Sequence, residues 1–360
     1  MTAPTHFLQD IMRQPAEMQR TIDYLTGAGQ EALAKAAALI RSARNVVITG
    51  IGASLNAAMG AVSLLHQAGH TAHIEEAAEL LHFTTVPRGS VIVAISRTGR
   101  SIEIVQLLAK AEASGATVIG ITNSPDSPLA SESAVAIVVP AMLDYAISVN
   151  TFSTLLVAAG ALASSATTGF PSVVPALVNS VREAGRRLEF WQAQLEESAW
   201  LMTEAPYYFL ARAGSVATCH EARLLWEEGV KMPATAMSTS SFRHGPQEIV
   251  KQGMRFGMWI DQSQMRAQDL AVAHDLRELG ASVMLIGENL PQDAADLVCQ
   301  LPTSPPRWQF VIDVLPVQLA AERLSRLAGV DCDSFRICSY VVEVEHGLLR
   351  KKAEVSQNAD

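Results

Sequence analysis

Two clusters of polar residues in this chain of 360 residues could do chemistry. The first is Ser96-Arg97-Thr98-Gly99-Arg100-Ser101, which follows an apolar run of strand length, Val91-Ile92-Val93-Ala94-Ile95. An amphipathic helix begins at once, with Ile102, Val105 and Leu108 apolar and Glu103 polar. A helix start presents unpaired N–H groups and a partial positive charge, which suits a phosphate. Capping a helix needs one hydroxyl; three hydroxyls in six residues point to a bound anion. Arg97 and Arg100 could add charge-assisted hydrogen bonds to it, or stand in solvent as ordinary first-turn side chains. A ligand would help explain them, because arginine is less favourable than an acid at that helix end.

The second cluster is Glu221-Ala222-Arg223-Leu224-Leu225-Trp226-Glu227-Glu228, with His244-Gly245-Pro246 starting sixteen residues after Glu228. Glu221 and Glu228 are seven apart, two helical turns, so both fall on nearly one helix face. A solvated face is the plain reading of such a pair. The chemical reading is a carboxylate beside an apolar pocket, whose raised pKa suits moving a carbon-bound proton.

The elements that must position these clusters alternate in type. Residues 7–44 read as helices, with Leu8, Ile11, Met12 and Met18 apolar and then the stretch from Leu33 to Ile40. A strand, Val46-Val47-Ile48, runs through Gly50-Ile51-Gly52-Ala53-Ser54 into a helix ending near Leu65. A second strand starts at Val91, a third covers 116–121 and a fourth 134–139, which implies parallel βαβ units. The pattern recurs from Tyr207 to Ser215, with further strands at 256–260, 282–286 and 297–301. First-to-second strand spacing is about 45 to 50 residues in each half, and second-to-third about 26 in both. These intervals predict an α/β fold of two tandem doubly wound, flavodoxin-like parallel-sheet domains, with ligands at the carboxyl ends of strands. The expected division is N-terminal helices over 1–44, a first domain over 45–165, a connecting helix over 166–200, a second domain over 201–342 and a tail over 343–360. The second half carries Asp261-Gln262-Ser263-Gln264 where the first has its hydroxyl cluster, so phosphate is expected in the first half only.

Composition narrows the partners. Hydrophobic residues make up 49% and charged residues 18%, enough for a sizeable core. The net charge of −9 argues against nucleic acid, whose backbone needs a basic field. Cys219, Cys299, Cys332 and Cys338 have neither paired zinc spacing nor the look of a disulfide framework. Met1 to Gln30 is unlike a signal peptide, and the Ala-rich stretch 155–166 is too short and interrupted to span a bilayer. A soluble cytoplasmic protein with no membrane partner is expected. His66, His70, His73 and His82 include an i, i+4 pair, but Gly69 breaks the helix and no cysteine is near, so no metal is expected. Gly50-Ile51-Gly52 lacks the third glycine and the later acid of a dinucleotide site, so no cofactor is expected. Met232, Met237 and Met258 read as core.

Taken together, the repeat, the Ser-x-[Ser/Thr]-Gly-x-[Ser/Thr] loop and the later His-Gly-Pro resemble the tandem sugar isomerase (SIS) family. The resemblance is to the isomerase part of glucosamine-6-phosphate synthase, to amino-sugar phosphate deaminases and isomerases, and to fructosamine-phosphate deglycases. It runs from the helix bearing Gln14-Pro15 to about Val342 and does not extend to a glutaminase domain. It implies that Ser96, Thr98 and Ser101 hold a sugar phosphate, with Arg97 where a glutamine is common and Gly52-Ala53-Ser54 beside the ligand. It further implies that Glu228 moves the proton between C2 and C1. His244 would open the sugar ring, reaching the site from the neighbouring subunit of a homodimer. No metal or organic cofactor is then needed, since dipoles can stabilise an enediol.

The departures shape the expected reaction. Cys338 falls where the synthase carries an imine-forming lysine, and a cysteine cannot form that imine. Ser148-Val149-Asn150 replaces Ser-Thr-Lys, and Ser240-Ser241-Phe242-Arg243 replaces Gly-Glu-Leu-Lys. Ammonia-using synthesis is therefore not expected; a sugar-phosphate isomerase or an amino-sugar 6-phosphate deaminase is. The alternatives are a fructosamine-6-phosphate deglycase, with Arg243 or Arg336 for the adduct's carboxylate, and a non-catalytic phosphosugar sensor.

Overall fold

The computed structural model describes residues 4–344 together with 347 and 348, so most of the tail expected over 343–360 lies outside the described residues. Two five-stranded parallel sheets form the frame. The first contains β1 (Val46–Gly50), β2 (His73–Glu76), β3 (Val91–Ile95), β4 (Thr117–Thr122) and β5 (Val135–Val138), in the order β2-β1-β3-β4-β5. The second contains β6 (Tyr207–Ala211), β7 (Ala234–Ser238), β8 (Arg255–Trp259), β9 (Ser282–Gly287) and β10 (Leu297–Gln300), in the matching order β7-β6-β8-β9-β10. The fold is thus the expected tandem doubly wound α/β arrangement. Strands β1, β3 and β8 are buried along their full length, as parallel strands covered by helices on both faces must be.

The strands β2 and β7 correct the sequence reading, which placed the second strand of the first half at Val91 and of the second half at Phe256. Both are edge strands with a single neighbour, β1 or β6. Being half-covered, they need no apolar run: β2 reads His-Ile-Glu-Glu and β7 reads Ala-Thr-Ala-Met-Ser.

The helix Asn150–Ala166 is buried on nearly every side, so its alanines belong to the core. Among the described residues no helix is long and apolar enough to cross a membrane. Asp144 stands in for a side-chain cap at its start, accepting from the backbone N–H of Val149 (3.0 Å), Asn150 (2.8 Å) and Thr151 (3.1 Å). The N-terminal helix His6–Thr26 buries Phe7, Ile11, Met18 and Ile22. It also pins the loop carrying Asp144: Asp10 accepts from the Tyr145 N–H and Glu17 from the Met142 N–H, both at 2.9 Å.

One continuous core joins the two halves. Gly60, on the helix Ala53–Gln67, makes room for Phe310: a Cβ there would stand 2.9 Å from its ring. The helix Val216–Leu225 packs on Ala53–Gln67, and the Asn56 amide donates to the Glu221 carboxyl at 2.9 Å. Glu221 is sealed in this contact, and burial pushes its pKa up to about 8. Asp313 is sealed likewise beside Ser215, whose hydroxyl donates to it at 2.6 Å, and burial pushes it up to about 7.

These two carboxyls set a pH dependence. Each is raised above the ordinary value of its side chain, 4.5 for Glu221 and 3.8 for Asp313, so the folded protein holds protons that the unfolded chain releases. Stability then falls as pH rises from about 4 to about 8. Each unit is worth ~1.4 kcal/mol, so the Asp313 contribution is on the order of a few kcal/mol across that window. Urea unfolding at pH 5 and pH 8 should show the wild-type losing stability at the higher pH, and Asp313→Asn losing clearly less.

Candidate functional site

Strands β1 and β3 pair with Thr49 opposite Ala94, so the turn after β1 and the loop after β3 emerge side by side. This is the topological switch point of the first sheet, where open α/β sheets bind ligands. From β1 comes Gly52-Ala53-Ser54, with Gly52 at φ 55° opening the helix Ala53–Gln67. From β3 comes the hydroxyl cluster. Ser96 is buried and its Oγ accepts from the Gly99 N–H at 3.0 Å; Thr98 Oγ1 accepts from the Arg100 N–H at 3.3 Å. Both hydroxyl protons stay available to an anion. Ser101 occupies the N-cap position of the helix Ile102–Ser114 but makes no side-chain capping bond, which leaves its hydroxyl open to a ligand.

Gly99 closes the loop at φ 60°, and a Cβ there would lie 2.3 Å from the Ser127 hydroxyl. The Arg97 carbonyl ties the loop to the end of β4, accepting from the Asn123 N–H and from the hydroxyls of Thr122 and Ser124, each at 3.2 Å. The loop is therefore a fixed cradle.

Arg97 turns away from the cradle. Its Nη1 donates to the Ser148 hydroxyl at 2.9 Å and its Nη2 to the Tyr340 carbonyl at 2.7 Å, with the guanidinium 3.9 Å above the Tyr340 ring. Arg100 points outward and donates to the Asp126 carbonyl.

Glu228 arrives from the second half by an unexpected route. The helix Val216–Leu225 ends in a π-helical turn, Trp226–Val230, with i→i+5 hydrogen bonding. Glu221 is locked against Asn56, while Glu228, on the wider turn, is half-buried; the two stay close enough for the charge of Glu228 to help raise the Glu221 pKa. Trp226 anchors the turn in an aromatic cluster, 4.8 Å from Phe209 and 5.3 Å from Tyr207 between ring centroids. Lys231 ends it at φ 60°, an uncommon conformation for a lysine, with its ammonium on the carbonyls of Glu228 and Ser334. Burial raises the Glu228 pKa, while the charges of Arg97 and Lys231 pull it back down.

The segment 334–342 bridges the two clusters. Ser334 sits on Lys231, Tyr340 on Arg97, and the Val342 carbonyl accepts from the Ile102 N–H at 3.0 Å, at the start of the helix Ile102–Ser114. Cys338 lies between them, its thiol held up by burial and subject to the charges of both Glu228 and Arg97.

The structure therefore brings together Gly52, Ala53, Ser54, Ser96, Arg97, Thr98, Ser101 and Glu228. It does not bring His244 with them. His244 is exposed on the segment after the short helix Thr239–Phe242, and no hydrogen bond among the described residues joins its ring to Glu228 or the loop. Ser148, Lys231 and Tyr340 belong to the site and were not singled out as such in the sequence. Only Ser148 carried a signal, as a departure from the Ser-Thr-Lys of the resemblance. The histidines give no cluster either: among the described residues no group of three or more His, Cys, Asp or Glu side chains could hold a metal, and the His66 ring bonds the Ala72 carbonyl at 2.8 Å.

The corresponding point of the second sheet is already filled. Asp269 takes the Asp261 N–H at 3.2 Å and pairs with Arg212 at 2.6 Å, while Asp261 takes the Met265 N–H at 2.8 Å. The protein's own carboxylates occupy the donors that a phosphate would use.

Two variants separate the cradle's binding role from its folding role. Ser101→Ala should leave stability within about 0.5 kcal/mol and weaken binding of inorganic phosphate, read by calorimetry. Gly99→Ala should abolish that binding and lower stability by about 2 kcal/mol or more, because it combines a positive φ with a clash.

Comparisons with known proteins agree with this fold. Residues 39–165 match the SIS domain. The chain is 26% identical over 359 residues to the isomerizing glutamine–fructose-6-phosphate aminotransferase of Aeropyrum pernix; the match takes in 95% of this chain and 58% of that protein. The chain thus spans less than two thirds of the length of that relative. Among solved structures, glucosamine-6-phosphate deaminase from Thermotoga maritima superposes with a TM-score of 0.77 at 21% identity, covering 94% of this chain and 99% of that one. Tagatose-6-phosphate ketose/aldose isomerase from Escherichia coli gives 0.77 at 19% identity, covering 92% and 95%. The two structures establish the fold. The chain is thus similar to the SIS domain over residues 39–165 and, over nearly its whole length, to part of the glutamine–fructose-6-phosphate aminotransferases.

Proposed function

We propose that this protein is a phosphosugar enzyme that moves a proton between C2 and C1 of an open-chain hexose 6-phosphate or amino-sugar 6-phosphate. A free hydroxyl at C2 makes the reaction an aldose–ketose isomerisation; an amino group there makes it a deamination. The single observation that carries this reading is the meeting of two features from opposite halves. A half-buried carboxyl, Glu228, lies within electrostatic reach of Arg97, which belongs to a hydroxyl-lined phosphate cradle. The deaminase and isomerase folds named above support the substrate class.

The roles follow from chemistry. Ser96, Thr98, Ser101 and the first N–H groups of the helix Ile102–Ser114 hold the phosphate, with Gly52-Ala53-Ser54 forming the adjacent wall. The phosphate exchanges with the Val342 carbonyl for the Ile102 N–H. Glu228 takes the C2 proton as carboxylate and returns it to C1. Its burial brings its pKa nearer to neutrality than that of an ordinary glutamate, which strengthens it as a base. Cys338 carries a protonated thiol where an amine would make an imine, so the nitrogen of an amino-sugar substrate is the substrate's own.

His244 completes the account if two copies share their sites, each giving its exposed His244 segment to the other. A homodimer of this kind acts in the cytoplasm on a small substrate and needs no metal or organic cofactor.

Two measurements test the reading. Incubation with fructose, tagatose and glucosamine 6-phosphates, following ketose, aldose and ammonia, should show turnover. Glu228→Gln should lower it by about 10²–10⁴-fold, the usual worth of a general base, while inorganic phosphate still protects the fold against heat. For the shared site, mixing inactive Glu228→Gln with inactive His244→Ala should restore a substantial part of the activity, because a mixed dimer contains one intact site. Turnover that survives Glu228→Gln contradicts the assignment of the base.

A further inference from the structure

Arg97 lies in the phosphate loop, yet its guanidinium does not face the cradle. Three contacts hold it elsewhere: Ser148 at 2.9 Å, the Tyr340 carbonyl at 2.7 Å and the Tyr340 ring at 3.9 Å. Those partners are themselves fixed. Ser148 belongs to the loop that Asp10, Glu17 and Asp144 hold through backbone N–H groups. Tyr340 belongs to the segment that runs from Lys231, beside Glu228, to Ile102 at the cradle. The guanidinium is therefore rooted in the loop of the cradle, fixed on Tyr340 and within electrostatic reach of Glu228, on the side toward which a sugar held by its phosphate would extend to meet that carboxyl.

We propose that Arg97 is a catalytic residue that binds the C1–C2 oxygens of the substrate and stabilises the negative charge developing there, and is not a ligand of the phosphate. The proposal rests on the functional reading above. When Glu228 takes the proton from C2, the electron pair of the C–H bond forms the C1–C2 double bond and the carbonyl electrons move onto oxygen. A fixed guanidinium meets that oxyanion without reorganising, and it can donate two parallel hydrogen bonds across neighbouring oxygens. The proton on the C2 oxygen or nitrogen then passes to the C1 oxygen, and reprotonation at C1 by Glu228 turns the C2 centre into the carbonyl or imine, so no external reductant or metal enters the balance. The arrangement also explains why the chain places an arginine beside its catalytic acid. A cation there keeps Glu228 ionised in a half-dry site, and the same cation serves the transition state. The direction of Arg97's influence on Glu228 agrees, since its charge lowers a pKa that burial has raised.

The test compares Arg97→Gln and Arg97→Lys with wild-type protein by deuterium uptake from deuterated water, at C2 of glucosamine 6-phosphate and at C1 of fructose and tagatose 6-phosphates, with inorganic phosphate as a competitive probe of the cradle. The expected result is a fall in kcat of about 10²–10³-fold for Arg97→Gln, the scale of one lost oxyanion donor. The inhibition constant for phosphate should stay within about 2-fold, which also shows that the variant folds. Arg97→Lys should recover part of kcat but none of the two-point geometry. In both variants, the acid limb of kcat/KM should follow the Glu228 pKa: upward for Gln, little changed for Lys. A kcat within about 3-fold of wild type with phosphate affinity lost assigns Arg97 to the phosphate and overturns the proposal; so does a parallel loss of both. Wild-type protein that exchanges no proton with any of the three sugars removes the functional reading itself, and this role with it.

Discussion

The proposed reaction depends on one electrostatic constraint: a carboxylate that must stay basic and ionised in a place half removed from water. Burial penalises the charged form of Glu228 and raises its pKa. Two cations answer that penalty, Arg97 from the first half and Lys231 from the same turn. Much of the surrounding structure serves to hold those cations still. Lys231 is fixed by two carbonyls, and Arg97 by a hydroxyl, a carbonyl and an aromatic face. The π-helical turn then sets where the carboxyl points.

The same constraint explains the asymmetry of two halves that share one topology. In the first sheet the switch point is built of hydroxyls and a glycine turn; the loop's own hydroxyl oxygens take the Gly99 and Arg100 N–H groups, and Val342 covers that of Ile102. In the second, Asp261 and Asp269 occupy the equivalent donors, and Arg212 is paired with Asp269. The second half contributes from the other end of its sheet. The helix after β6 runs back along the strands, so its last turn, carrying Glu228, meets the carboxyl end of the first sheet. In the proposed reaction the first half supplies the anchor and the second the base, and the shared core with Phe310 against Gly60 fixes their separation.

Much of this was legible in the residues. The apolar runs of β1, β3, β4, β6, β8 and β9 gave the sheets, because strands buried on both faces cannot be polar. The cradle was legible because its chemistry is local, one strand, one turn and one helix start. The edge strands β2 and β7 were not, since a half-covered strand carries no hydrophobic signature. Nor was the π turn: its spacing of glutamates reads as an ordinary α-helix until the i→i+5 pattern is seen. Arg97 was assigned to the phosphate by its neighbours in sequence, whereas Tyr340, 243 residues away, decides where it points. Contacts of that separation leave no trace in a local pattern.

The account's central claim is that one sugar spans the two halves, phosphate in the cradle and C1–C2 end at Glu228. A crystal structure of the Glu228→Gln protein with a bound hexose 6-phosphate tests it most directly. The account predicts the phosphate on Ser96, Thr98 and Ser101, with C1 and C2 between the side chains of residue 228 and Arg97. A phosphate seated at Arg212 in the second sheet, or a sugar whose C1–C2 end turns away from residue 228, would contradict it.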